Sequence, residues 1–211
     1  MRKYLDLARR STDRAASVMQ RLLGLSREQP LAAGPTDLNE IVREMAELLR
    51  SSLGRGVSVR THLGEDVGPT VVDAGGLETS ILNLAVNARD AMGACGELTI
   101  ETSNAFLDEA DPFGHHDITP GHYVVIAMSD TGAGMSRELI ARACDPFVTG
   151  AAGADTGLGL LQVRDFLRQA QGHLAIESEA GLGTTVRLYL PRWSRSASEA
   201  MCSSSHIRTV S

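Results

Sequence analysis

The stretch Ile81-Leu82-Asn83-Leu84-Ala85-Val86-Asn87-Ala88-Arg89-Asp90-Ala91-Met92 decides how the chain is read. Leu82, Ala85, Val86 and Met92 recur roughly every third or fourth residue, the spacing of the buried face of an amphipathic helix. Asn83, Asn87 and Asp90 keep the same spacing and form a second stripe. Two amides and a carboxylate are poor packing material for a helix interior. Beside an apolar face they read in two ways: as a solvated surface, or as the wall of a polar pocket that holds a hydrated cation with its phosphates. The stretch alone leaves both open.

On its N-terminal side, Val57, Val59, Thr61 and Leu63 alternate with polar residues as a half-buried strand does, and residues 70–72 read as a second short strand. Before these, Asp37 and Glu40 resemble a capping box opening a helix whose apolar positions are Leu38, Ile41, Met45, Leu48 and Leu49, with Gly54 or Gly56 as its stop. On the C-terminal side the asparagine helix ends near Gly93 and Gly96, and Leu98, Ile100 and Thr102 mark another strand. Residues 107–121, with Pro112, Gly114 and Pro120, read as a loop. His115 and His116 lie in it without a Cys or carboxylate at ligand spacing, so they read as solvated rather than metal-bound.

The run 123–129 is almost continuously apolar, as a central buried strand is, and it ends at Asp130. Thr131-Gly132-Ala133-Gly134-Met135 follows as a glycine-rich turn that lets a ligand approach the backbone. Ser136 caps a short helix that ends at Asp145-Pro146-Phe147. Residues 149–156 are nearly all Gly, Ala and Asp and have little to bury, the composition of a mobile lid. Gly157-Leu158-Gly159-Leu160-Leu161 then opens a helix with Leu160, Val163, Leu167 and Ala170 on one face, its free N–H groups suited to phosphate oxygens. Gly172 ends it. Strands 174–178 and 185–190 form a hairpin through Gly181-Leu182-Gly183.

The bulk properties narrow the field. The 211 residues hold one domain with room for an appended segment, and 43% hydrophobic residues with 22% charged are ordinary for a globular chain. A net charge of -6 is the wrong sign for a nucleic-acid footprint. Cys95, Cys144 and Cys202 are scattered without metal-ligand spacing and fit a reducing cytosol. No apolar run reaches the roughly 20 residues of a membrane helix. At the N-terminus Leu5, Ala8, Thr12, Ala15, Met19 and Leu22 form a heptad seam, with Arg9, Arg10, Asp13, Arg14 and Arg21 on the other faces. A helix of this kind needs a partner helix. Gln29-Pro30 and Gly34-Pro35 read as a linker after it.

Taken in order, Asn83…Asn87-Ala88-x-Asp90-Ala91, Asp130-x-Gly132-x-Gly134, Asp145-Pro146-Phe147, Thr156-Gly157-Leu158-Gly159-Leu160 and Gly181-x-Gly183-Thr184 resemble the N, G1, F, G2 and G3 boxes of the catalytic ATP-binding domain of sensor histidine kinases. That domain shares a superfamily with DNA gyrase, MutL-type repair proteins and a heat-shock chaperone. The resemblance spans about residues 36–192. It implies an α+β fold, a two-layer α/β sandwich of the Bergerat type with helices on one face of a mixed sheet. It divides the chain into a partial dimerisation helix (1–30), the catalytic domain (36–192) and a disordered tail (193–211).

By this resemblance Asn87 coordinates Mg²⁺, Asn83 lies beside it near the phosphates, and Asp90 belongs to the same wall. Asp130 accepts a hydrogen bond from the adenine amino group, Gly132 and Gly134 shape the adenine pocket, and Thr184 lies near the base. Gly157, Leu158 and Gly159 meet the phosphates, and Phe147 begins the lid. The hydrolysing members of the superfamily carry a Glu where this chain has Asn83, a weak base, which favours transfer to a protein over hydrolysis. The lid lacks the Lys often found after the F box, since Gly150 follows Thr149.

The implied activity is ATP-dependent phosphorylation of a histidine on a partner or missing segment, with a response regulator downstream, dimerisation through the N-terminal helix and a cytoplasmic location. None of the six histidines stands on a helix suited to accept the phosphate. The chain therefore resembles a kinase that starts partway through its dimerisation hairpin: a fragment, a misplaced start, or a protein acting in trans. The alternative is a non-catalytic ATP-binding regulator that pairs with a complete kinase.

Overall fold

A computed structural model describes residues 35–93, 95–108, 119–143 and 158–194. The expected N-terminal heptad helix, the Phe147 box, the 149–156 lid, Gly157, His115, His116 and the tail from 195 onward lie outside the described residues.

The described chain runs α1 (Leu38–Ser52), β1 (Val57–Leu63), α2 (Ala74–Met92), β2 (Gly96–Leu107), β3 (Gly121–Asp130), α3 (Arg137–Arg142), α4 (Leu158–Gln169), β4 (His173–Glu179) and β5 (Gly183–Pro191). The strands form one five-stranded sheet in the order β1-β2-β3-β5-β4. β1 pairs with β2 in parallel, Val59 opposite Leu98, and the other pairings are antiparallel. Two parallel neighbours need a crossover between them, and α2 is that crossover. β3 is the central strand, as its apolar run predicts.

Side-chain alternation assigns the two faces of the sheet. Val59, Leu98, Ile100, Val124, Ile126, Met128, Leu188 and Leu190 point to one face and form a single buried cluster with residues of α1, α2 and α4. From α1 come Leu38, Ile41, Val42, Met45, Ala46 and Leu49; from α4 come Val163 and Leu167. This is the expected two-layer sandwich with helices on one side. The opposite face carries the ion pairs Arg60–Glu97 (2.8 Å) and Arg187–Glu177 (2.6 Å) and a smaller cluster of Leu107, Tyr123, Val125, Ala175 and Tyr189.

The helix boundaries follow local chemistry. Asp37 caps α1 by accepting from the Asn39 N–H (2.8 Å), and Gly54, at φ +92°, stands just beyond the helix end. Leu48 is 48% exposed, so it lies off the buried face that the sequence assigned to it. The buried face of α2 also differs from expectation. Leu77, Ile81, Leu84, Ala85 and Ala88 are buried, whereas Leu82 and Met92 pack at the core margin and Val86 is half-buried. The true stripe begins one turn earlier, at Leu77, because α2 starts at Ala74 behind its Asp73 cap, which accepts from the Gly76 N–H at 2.7 Å.

The strand expected at 70–72 is a single bridge, Thr70, paired with Thr36 and Arg192. Pro69 has no N–H to give, and the Asp73 cap follows at once, so little extended chain remains.

One buried polar knot ties α1 to the sheet. Thr102, 4% exposed, donates its hydroxyl to Asn39 Oδ1 (2.6 Å) and accepts from the Gly64 N–H (3.1 Å), while the Asn39 amide donates to Gly64 O (2.8 Å). Thr102→Val strips Asn39 of its donor inside the protein, and we expect a loss of about 1–3 kcal/mol. Chemical denaturation measures it. Thr102→Ser should keep most of that stability, and a valine variant as stable as the parent would refute the assignment.

Candidate functional site

α2 carries the first half of the site. Its buried face is turned to the sheet, which leaves Asn83 and Asp90 half-buried and Asn87 exposed. The Asn83 amide donates to Gln162 Oε1 on α4 at 3.0 Å. Gly159, in the first turn of α4, lies against the same residues. A Cβ built there would come within 3.6 Å of both polar atoms of the Asn87 amide and 3.8 Å of Asn83 Cβ. Those are ordinary contact distances, so a side chain would fit against α2 but would cover the two amides. Leu158 opens α4.

Asp90 is engaged sideways. Its Oδ1 accepts from Nε (2.9 Å) and Nη2 (2.8 Å) of its neighbour Arg89. A carboxylate neutralised this way is less available to a cation, so Asn83 and Asn87 are the freer oxygen donors of the stripe. Among the described residues no group of three His, Cys, Asp or Glu is placed to hold a metal. A donor set of two amide oxygens fits Mg²⁺, which takes few protein ligands when it is bound together with phosphates.

The second half of the site stands where β3 ends. Asp130 pairs across the sheet with Leu98 and Thr184. Burial pushes its carboxyl above the ordinary 3.8, and hydrogen bonds from the backbone N–H groups of Gly132 and Thr184 pull the other way. The Gly132 bond, at 2.8 Å, aims the carboxylate along the turn. Gly132 is where the halves meet: a Cβ there would lie 2.8 Å from both the carbonyl carbon and the Cβ of Ala91, on the last turn of α2.

The turn is fastened on three sides. Thr131 exchanges two hydrogen bonds with Glu97 of β2, through its N–H (3.2 Å) and its hydroxyl oxygen (3.0 Å). The Ala133 N–H donates to Ala91 O of α2 (3.1 Å), and Ala133 O accepts from the Gly181 N–H of the β4–β5 hairpin (2.7 Å). Gly134, at φ +64°, passes so close to Glu179 O that any Cβ would overlap it.

Ser178 completes the junction. Its hydroxyl accepts from the Met135 N–H (2.8 Å) and donates to Gly183 O (2.9 Å). Since its one proton is committed, the 2.9 Å contact with Thr184 Oγ1 requires Thr184 to donate. The remaining capacity of the Thr184 hydroxyl is that of an acceptor, beside the Asp130 carboxylate.

The structure thus brings Asn83, Asn87 and Gly159 together on one side and Asp130, Gly132, Gly134 and Thr184 on the other, joined through Ala91. Phe147 and Gly157 fall outside the described residues. Sequence reasoning missed Gln162, Ser178 and Arg89. Gln162 carried a signal, a polar residue among Leu160, Leu161 and Val163; Ser178 carried none, because a hydroxyl in an alternating strand looks solvent-facing. A separate groove of about 700 Å³ on the open face of the sheet, lined by His62, Glu101, Ser103, Ala127 and Arg187 among others, includes none of the candidate residues.

Comparison with known proteins bears on the same residues. Residues 72–194 match the family described as histidine kinase-, DNA gyrase B-, and HSP90-like ATPase. The sensor kinase CckA of Brucella abortus (strain 2308) is 35% identical over 185 residues, which cover 87% of this chain and 20% of that protein. The chain therefore spans about a fifth of the length of that curated relative. Among solved structures, the catalytic domain of histidine kinase ThkA superposes with a TM-score of 0.59 at 22% identity, covering 75% of this chain and 97% of that one. Histidine kinase ThkA in complex with the response regulator protein TrrA gives 0.66 at 19% identity, covering 90% and 51%.

Proposed function

The chain belongs to the family of histidine kinase-, DNA gyrase B- and HSP90-like ATPases, and from that premise we propose that it is the ATP-binding catalytic portion of a two-component sensor histidine kinase. It passes the γ-phosphoryl group of ATP to a histidine on a dimerisation helix supplied by a partner chain or by a segment beyond this one. The observation that carries the proposal is the close approach of Gly132 to Ala91, which holds an aimed carboxylate at one end of a helix whose polar stripe carries two amides, Asn83 half-buried and Asn87 exposed.

In this reading Asp130 accepts from the exocyclic amine of adenine, with the acceptor side of Thr184 next to it, and Gly132 and Gly134 keep the backbone low beneath the base. Asn87, with Asn83 beside it, would hold Mg²⁺, which when bound neutralises phosphate charge and orients the triphosphate. Asp90, tied to Arg89, stays in the wall without competing for the cation. The first-turn amides of α4 around Leu158 and Gly159 meet the phosphates at a helix N-terminus.

The bond from the γ-phosphorus to the ADP oxygen breaks, and a bond to an imidazole nitrogen forms. Phosphoryl transfer of this kind asks mainly for positioning and charge neutralisation. Asn83 stands where a hydrolysing enzyme would need a base, so a protein acceptor is favoured over water. Dimerisation through residues 1–30, a response regulator as the next acceptor and a cytoplasmic location belong to the same proposal. Among the described residues no helix is long and apolar enough to cross a membrane.

The test is incubation with γ-labelled ATP and Mg²⁺ in the presence of a dimerisation helix pair bearing a histidine. Acid-labile, base-stable label on that helix is expected, and Asn87→Ala should reduce it by about 100-fold or more. ATP binding without transfer to any such helix would favour the regulator alternative and sink the kinase assignment.

A further inference from the structure

The geometry points to Gln162 as a positioning residue of the nucleotide site: its side-chain oxygen fixes the Asn83 amide so that Oδ1, not Nδ2, is the corner left free for the Mg²⁺–triphosphate. The inference rests on the ATP-binding reading above and adds to it a residue outside the five sequence boxes.

A terminal amide is two-faced. Its torsion is broad and roughly two-fold, so turning it over costs little and exchanges an acceptor for a donor. For Asn83 the choice matters. With the oxygen free it suits a cation; with the nitrogen free it suits a phosphate oxygen and offers nothing to Mg²⁺. The hydrogen bond from Asn83 Nδ2 to Gln162 Oε1, 3.0 Å and half-buried, occupies the donor corner. Gln162 is an amide as well, so the reversed pair, Gln162 Nε2 to Asn83 Oδ1, is the competing arrangement, and Gln162→Glu, which can only accept, excludes it. Gln162 lies three residues beyond Gly159, one turn along α4, so the turn that leaves the two amides uncovered also supplies the group that orients one of them. Partners of this kind behind a metal-binding group set its orientation, and their loss typically costs about 10–100-fold in metal affinity.

The experiment measures affinity for a non-hydrolysable ATP analogue by calorimetry, with Mg²⁺ and with the metal chelated, on the full chain. Gln162→Met should leave the metal-free affinity unchanged and cut the gain that Mg²⁺ brings by about 10-fold. Asn83→Ala should show a similar loss, and the double variant should lose no more than either alone, since both act through one amide. Gln162→Glu keeps an accepting oxygen and should retain the Mg²⁺-dependent gain.

Equal losses with and without metal in Gln162→Met would mean a merely structural bond and overturn the proposal. Additive losses in the double variant, or a Gln162→Glu protein as impaired as Gln162→Met, would overturn it as well. The two readings fail differently. An unaltered protein that binds no nucleotide overturns the ATP-binding reading and this assignment with it, whereas normal binding with a silent Gln162→Met overturns this assignment alone.

Discussion

Asp130→Asn is expected to abolish the stabilisation that Mg-ATP gives the protein while leaving the free protein at least as stable as before. The carboxyl of Asp130 is raised above 3.8 by burial, against the pull of the Gly132 and Thr184 N–H groups. A folded-state value above the unfolded one means that the native protein holds the proton more tightly. The contribution to stability is then complete below pH 3.8 and is lost as the pH rises through the raised value. At neutral pH the residue is a desolvated carboxylate that the fold tolerates.

Asparagine removes that charge and can still accept from the Gly132 N–H through Oδ1. It also turns an NH₂ group toward a base that needs an acceptor there, and a buried donor facing a donor costs at least about 100-fold in affinity. Thermal unfolding with and without Mg-ATP reads both effects. The same logic gives a pH dependence: affinity for the nucleotide falls as the pH is lowered through the raised value, at a pH above the ordinary 3.8. An asparagine variant that binds like the parent would remove Asp130 from the site.

Gly183→Ala is expected to be among the most damaging single methyl additions in the domain, and the comparison that shows it lies in the same turn. Gly181 and Gly183 both have positive φ, +85° and +102°. A Cβ on Gly181 meets nothing within 4 Å, whereas on Gly183 it overlaps Asp130 O and approaches Thr131 Cα at 3.2 Å. Gly181→Ala carries the left-handed penalty alone, about 1–2 kcal/mol. Gly183→Ala adds a backbone collision where β5 leaves the hairpin beside Asp130. The total should reach about 4 kcal/mol or more, which corresponds to a fall in Tm on the order of 10 °C for a domain of this size. Since the atom displaced is the carbonyl oxygen of Asp130, nucleotide binding should weaken in whatever fraction remains folded. Equal losses for the two alanine variants would show that conformation, not collision, governs this turn.

Most of the fold was legible because its two periodicities are clean. The alternation of Leu98, Ile100 and Thr102 and the apolar run before Asp130 placed strands correctly, and the Ser136 and Asp37 caps placed helix starts. The misses have physical reasons. Read from Leu82, Ala85, Val86 and Met92, the buried face of α2 passes over Leu77, Ile81 and Leu84, and the two glycines before Leu77, Gly75 and Gly76, look like a loop rather than a first helical turn. Leu48 reads as core from its neighbours, yet α1 has only one side to bury.

Within the candidate site, the residues proposed to meet a ligand are named by the order of the boxes, whereas those that hold them in place are not. Ser178 and Gln162 reach back to Met135 and Asn83, 43 and 79 positions away, and pairings at such range leave no mark in local spacing. Asp90 shows the converse. It keeps the stripe's spacing, yet its partner is the adjacent Arg89, which helical periodicity treats as facing elsewhere.

The parallel pairing of β1 with β2 bears on how this domain can be rearranged. Strands joined by hairpins tolerate added loops or new termini at their turns. β1 and β2 have no turn: the chain travels from one to the other through α2, the helix that bears both asparagines. New chain ends placed within that passage would divide the asparagine stripe and release the outermost strand together. Splitting the domain into complementing halves, or grafting an insert to report on ligand, should therefore fail between Gly64 and Cys95, where one cut loses both the stripe and the strand.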